Sequence, residues 1–131
     1  MLLKKSKAEF ISCNLAGFGH ADGHLVLKEI RPGDKLLMCR EEDNKHDHEA
    51  IALFYVPKGE WPQGACKHNV EKFKHAIHVG YIPAAHNSQL AMFMDYGHED
   101  IFDCTIININ RDAHPENKVQ IRVSLLGKEN H

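Results

Sequence analysis

Between Arg40 and Phe54 the chain reads REEDNKHDHEAIALF, and nine consecutive residues, Glu41 through Glu49, are polar. A plain hairpin needs about two to five connecting residues, often with Gly. This connection is longer and denser in groups that accept, donate or titrate. Asn and Asp bond their own backbone and shape a tight loop without Gly. Asn44 and Asp47, three apart, are placed to cap each other's turn. A polar loop held rigid between apolar runs makes a binding site, although a solvated connection has the same composition. A metal-dependent nuclease can be drawn from Asp43, Asp47, His48 and Glu49. It would rest only on acidic residues close in sequence, which loops commonly have. A second group, Cys66-x-His68 with His75-x-x-His78, would give a partial zinc site. Structural zinc prefers tighter, repeated spacing such as CxxC, which is absent, so no metal and no cofactor is expected. Neither GxSxG, a Walker loop nor HExxH occurs, so the chain reads as non-enzymatic.

The elements that must position these groups read mostly as strands. Phe10 to Leu15, His24 to Ile30, Lys35 to Cys39, Ala50 to Val56 and Ile77 to Ile82 are short apolar or alternating runs. The longest are 101–110 and 118–126. There Ile107 and Ile109, then Val119, Ile121, Val123 and Leu125, alternate and predict one core face and one wet face. Arg31-Pro32-Gly33-Asp34 suits a type II turn. Pro83 can open a helix over 84–96, with Leu90, Phe93 and Met94 on its core face and Gly97 after its end. Phe18, between Gly17 and Gly19, is either a core plug or a stacking face. Residues 1–9 and 127–131 read as loose ends. The stretch 57–76 holds Pro57, Gly59, Pro62 and Gly64, with two helical turns possible from Asn69 to His75. It also holds Trp61, as a clamp or an exposed stacking group. Hairpin-like connections and one clear helix predict a mainly β fold, a small barrel of about six strands with one or two covering helices.

Arg40, Asn44, Asp47, Ala50 and Ile51 stand in the order Arg-x-x-x-Asn-x-x-Asp-x-x-Ala-Ile. With Ala16-Gly17-Phe18-Gly19-His20 before them and Gly80-Tyr81-Ile82-Pro83 after, this resembles the HIRAN family over about residues 10–126. The resemblance is interrupted at 57–76, where the family has a short turn. It implies a modified OB-like barrel that binds single-stranded DNA at its 3′ hydroxyl end. It assigns Asp47 to the 3′ hydroxyl, and places His46 where the family often has Tyr. Tyr81 falls at an aromatic position. Phe18, His20, Arg40 and Asn44 complete the implied DNA site. Gly19-His20 stands where DNA-binding members have Arg followed by an aromatic residue, and Ala84-Ala85 where they carry a basic residue. With Glu41, Glu42 and Asp43 close by, these departures favour an alternative, a protein-interaction module without DNA affinity.

The chain has 131 residues and a net charge of −2 with His neutral, which suits one domain over 1–131. So few excess cations exclude a broad DNA-coating surface, but not a small pocket gripping one strand end. Eleven His make the chain several charges more positive below about pH 6. Cys13, Cys39, Cys66 and Cys104 include no CxxC, and three lie in strand patterns, which points to a reduced, cytoplasmic setting. No secretory signal and no membrane-length run is present. The expected partners are a DNA 3′ end and a helicase- or nuclease-type protein, in DNA repair, replication or mobile-element processing.

Overall fold

The computed structural model describes residues 7–56 and 75–127. Expectations about the 57–74 stretch, among them Trp61, the helical turns from Asn69 and the Cys66–His68 half of a metal site, lie outside the described residues. So do those about 1–6 and 128–131.

Among the described residues, six strands form one antiparallel sheet: β1 (Lys7–Asn14), β2 (Lys35–Arg40), β3 (Ile51–Tyr55), β4 (Ile77–Tyr81), β5 (Phe102–Ile109) and β6 (Val119–Leu126). Their order across the sheet is β1-β6-β5-β2-β3-β4. The helix α1 (Ala84–Asp95) packs against β2. The apolar sides enclose a single core built around Leu36, Leu37, Met38, Ile51, Leu53, Leu90, Met94, Phe102 and Ile121.

The sheet is open rather than a closed barrel. Its outer strands β1 and β4 share no ladder, but the chain just past β1 crosses to β4 and forms an isolated bridge with it. There Ala16 and Tyr81 exchange both backbone hydrogen bonds, at 2.9 and 2.8 Å. Gly80 allows this approach. A Cβ on it would sit 2.1 Å from Leu15 Cδ2 and 2.4 Å from the Ala16 carbonyl oxygen.

The stretch read as a strand over His24–Ile30 is instead a series of tight turns opening with a 3₁₀ turn at Gly23–Leu25. Its buried residues, Gly23, Val26 and Ile30, recur every three to four positions, and Leu25 is 60% exposed. That is a helical rhythm, and the apparent alternation of Leu25 and Leu27 does not set the fold. Lys7–Glu9, expected to be loose, belongs to β1. In β5 the core residues are Phe102, Cys104 and Ile106, not Ile107, because the register shifts between Ile106 and Asn108. In β6, Val119, Ile121 and Val123 face the core as predicted.

Local chemistry explains the element ends. Asp34 N–H donates to the Arg31 carbonyl at 3.0 Å, and Gly33 has φ 96°, as the third residue of a type II turn requires. After α1, Gly97 adopts φ 87°, and its N–H and that of His98 bond to the Met94 and Phe93 carbonyls. This Schellman arrangement satisfies carbonyls the helix leaves open. Pro83 is the residue before the helix rather than its first.

Candidate functional site

The loop between β2 and β3 is shaped from within. Asn44 Oδ1 accepts from the His46 and Asp47 backbone N–H groups at 2.9 and 3.0 Å. Asp47 Oδ1 then accepts from Glu49 N–H at 2.9 Å. The mutual cap read from sequence is thus a relay, Asn44 to Asp47 and Asp47 to Glu49. Two successive side-chain turns replace the glycines a shorter hairpin would use.

Helix α1 holds the loop from outside. Asn87 Nδ2 donates to Asp47 Oδ2 at 2.7 Å, and Ser88 Oγ donates to Glu49 Oε2 at 2.7 Å. Arg40 supplies a third tie. Its Nε and Nη2 grip both oxygens of Asp95 at 2.7 and 3.0 Å, while Nη1 and Nη2 reach the Ala50 and His48 carbonyls. Arg40 therefore pairs with Asp95, not with Glu41 or Glu42, and its side chain is only 4% exposed. It holds the loop on the helix and spends four of a guanidinium's five donors inside the protein.

Tyr81 reaches the loop from β4. Its phenol donates to Glu41 Oε1 at 2.8 Å, and the same oxygen accepts from Asn44 Nδ2 at 3.0 Å. A continuous network thus runs Tyr81–Glu41–Asn44–Asp47–Asn87. Tyr81 and Asp47 within it are held in opposite protonation states. Burial and the bond to Glu41 push the Tyr81 phenol up to about 12, so it stays a donor. The Glu49 N–H and the Asn87 amide hold the Asp47 carboxyl below its usual range, so it stays an acceptor. A carboxylate has about four acceptor positions, and among the described residues protein groups fill one on each oxygen. Asp47 can therefore take a further hydroxyl donor, but its lowered pKa makes it a weak general base.

The other predicted residues divide. His20 and His46 are exposed near this network's elements, His20 at the end of the 3₁₀ turn Phe18–His20 and His46 at the loop tip. Phe18 is 3% exposed and belongs to the core, the plug of the two readings, with its ring stacked so closely over Gly23 that a Cβ there would lie 2.3 Å away. An aromatic row not foreseen from sequence stands beside Tyr81: Phe54 and His78 have ring centroids 5.1 Å apart, and His78 and Tyr81 4.9 Å. Asn87, 2% exposed, was also missed as a site residue. Its signal was a polar residue one turn ahead of Leu90 and Ala91 on the apolar face of α1. Among the described residues, no three His, Cys, Asp or Glu side chains gather as a metal site would need, and no helix is long and apolar enough to cross a membrane.

The family model for the HIRAN domain matches residues 9–126. The chain belongs to the HIRAN domain family. Its fold is shared with a crystal structure of a Lactobacillus plantarum protein, at 17% identity and a TM-score of 0.67, covering 95% of this chain and all of that one. The HIRAN domain of human HLTF is similar at 15% identity and a TM-score of 0.56, over 94% of this chain and 81% of that one. No curated protein matches. Within this HIRAN domain the signature residues Arg40, Asn44 and Asp47 are the ones that build and tether the loop, and Tyr81 is the residue that joins the loop to β4.

Proposed function

We propose that this HIRAN domain is a non-enzymatic module that binds single-stranded DNA at its 3′ hydroxyl end, in DNA repair, replication or mobile-element processing. The observation that carries the reading is Asp47. It is kept ionised and oriented by Glu49 and Asn87, with acceptor positions that no described residue fills and that one more hydroxyl can take. A 3′ hydroxyl is a donor of that kind, whereas a 3′ phosphate would bring negative charge against the carboxylate. The Tyr81–His78–Phe54 row supplies aromatic surface for a terminal base, with stacking worth about 1–3 kcal/mol per base. His20 and His46 supply donors for the adjoining phosphate. Phe18 and Arg40 act behind this surface, the first as packing and the second as the tether of the loop.

A second reading, a protein-interaction module, is favoured by Met92 on α1 and Tyr96 just past its end, one turn apart and 52% and 78% exposed. Fluorescence anisotropy of a labelled strand with a free 3′ hydroxyl, against the same strand with a 3′ phosphate, separates the two. Binding of the hydroxyl form alone, lost in Asp47→Ala, is the expected result. Equal binding of both forms would overturn end recognition, and binding of neither would favour the second reading.

A further inference from the structure

At the other end of β2 from the signature loop, two arginines distant in sequence converge on one carbonyl. Arg31 Nη1 donates to the carbonyl oxygens of Lys28 at 2.7 Å and Ile30 at 2.8 Å. Arg111, from the turn after β5, donates through Nη1 to the Leu27 carbonyl and through Nη2 to the same Ile30 oxygen at 3.0 Å. Since both guanidinium groups touch Ile30 O, their nearest nitrogens lie within about 6 Å of each other.

Capping the carbonyls of this turn explains part of the arrangement. It does not explain why two like charges are brought together with no ion-paired carboxylate among the described residues. Glu29, Asp34 and Asp112 are sequence neighbours, and Asp34 Oδ2 accepts from the Arg31 backbone N–H at 2.9 Å. Among the described residues, however, no carboxylate forms an ion pair with either guanidinium. Arg40, by contrast, is paired with Asp95 and enclosed. Each guanidinium carries five N–H donors, and two of each are used on carbonyls, which leaves three on each that no described residue takes. Both side chains are exposed. Lys118 joins them, its Nζ on the Arg111 carbonyl. In a chain of net charge −2, this gathers three cations that form no ion pair among the described residues, and the two arginines add planar donors, the geometry that suits phosphate oxygens.

We propose that Arg31 and Arg111 form a second phosphate-binding site, which takes the backbone of the single strand whose 3′ end occupies the Asp47 loop. The proposal rests on the end-binding reading for its ligand but on the arginine geometry for its site. The six residues of β2 separate the pair from the signature loop by about 17 Å. A strand must therefore be several nucleotides long to engage both, in keeping with the occluded lengths of about four or more nucleotides usual for small β folds that bind single strands.

The test is anisotropy of fifteen-nucleotide oligothymidylate with a 3′ hydroxyl or a 3′ phosphate, over a salt series, with folding of each variant checked by circular dichroism. R31A/R111A is expected to weaken binding about tenfold or more. It should make the slope of log K against log salt shallower by about 1.4, for two phosphates lost on single-stranded DNA. It should keep the preference for the hydroxyl end. R31K/R111K should retain most of the slope, since charge without the carbonyl bonds is preserved. Asp47→Ala should do the reverse, losing the end preference and keeping the arginine share of the slope. An unchanged slope in R31A/R111A overturns the second site even where end binding holds. If the wild-type domain binds neither strand, the end reading fails. The site is then decided by titrating tripolyphosphate against the arginine Nε–Hε resonances. Shifts at Arg31 and Arg111 sustain an anion site, and none overturns it.

Discussion

Tyr81 is one aromatic residue in a strand, but its phenol is the hinge between β4 and the loop. Burial and the Glu41 carboxylate push its pKa up to about 12, above the ordinary value of 10. The sign follows from linkage. Below pH 10 both the folded and the unfolded chain keep the proton, and the interaction is fully present. Between about 10 and 12 the unfolded chain releases its proton first, so stability falls as pH rises. Tyr81→Phe should lose part of that alkaline slope. Melting temperatures measured at steps from pH 9 to 12 check it, and an unchanged slope would mean that Tyr81 titrates as in the unfolded chain. At the same scale Phe18 shows how much a residue's neighbours decide. Two glycines beside an aromatic ring suggested either packing or stacking. The choice fell to packing because Gly23, five residues on, leaves room for the ring.

The element that matters most is the docking of the β2–β3 loop on α1. Three side-chain ties hold it, Asp47–Asn87, Glu49–Ser88 and Arg40–Asp95. Removing Asn87 leaves a carboxylate with one partner fewer, and a hydrogen bond to a charged group contributes about 1.5–3 kcal/mol. Asn87→Ala should therefore cost about that much in urea unfolding at pH 7. Asp47 has a lowered pKa in the fold, so its contribution is present above the unfolded value near 3.8 and is lost as pH falls through the folded value. The difference between Asn87→Ala and wild type should shrink by pH 3. A difference as large at pH 3 as at pH 7 would show that Asn87 acts through packing alone. The internal half of this element was legible in sequence, since Asn44 and Asp47 act on backbone two and three residues away. Its external half was not, because Asn87 and Asp95 are 40 and 55 residues from their partners. The segment 24–30 was misread for a related reason: Leu25 and Leu27 imitate a strand, whereas the burial of Gly23, Val26 and Ile30 follows a turn of helix.

For the molecule as a whole, the described residues share one core that both sheet and helix line. The sheet's open ends are pinned together where Ala16 meets Tyr81, and Asp22 N–H adds a bond to the His78 carbonyl of β4. Loss of that corner should not leave a stable remainder, since its residues Leu15 and Ile82 are themselves buried in the core. Thermal unfolding followed by far-ultraviolet and near-ultraviolet circular dichroism should therefore give coincident transitions. A separated near-ultraviolet transition would mean that the aromatic core loosens before the sheet. Most strands, the helix and the 31–34 turn were readable from sequence alone, because burial alternation, helical spacing and Pro-Gly chemistry act over a few residues. The family signature was likewise readable, being a local order of residue types. Only the tertiary structure decided that the sheet stays open, that Arg40 faces Asp95, that Asn87 orients Asp47, and that Arg31 and Arg111 share the Ile30 carbonyl. Each of these depends on how distant segments pack, and residue type and local spacing carry no record of which partner that packing will bring within reach.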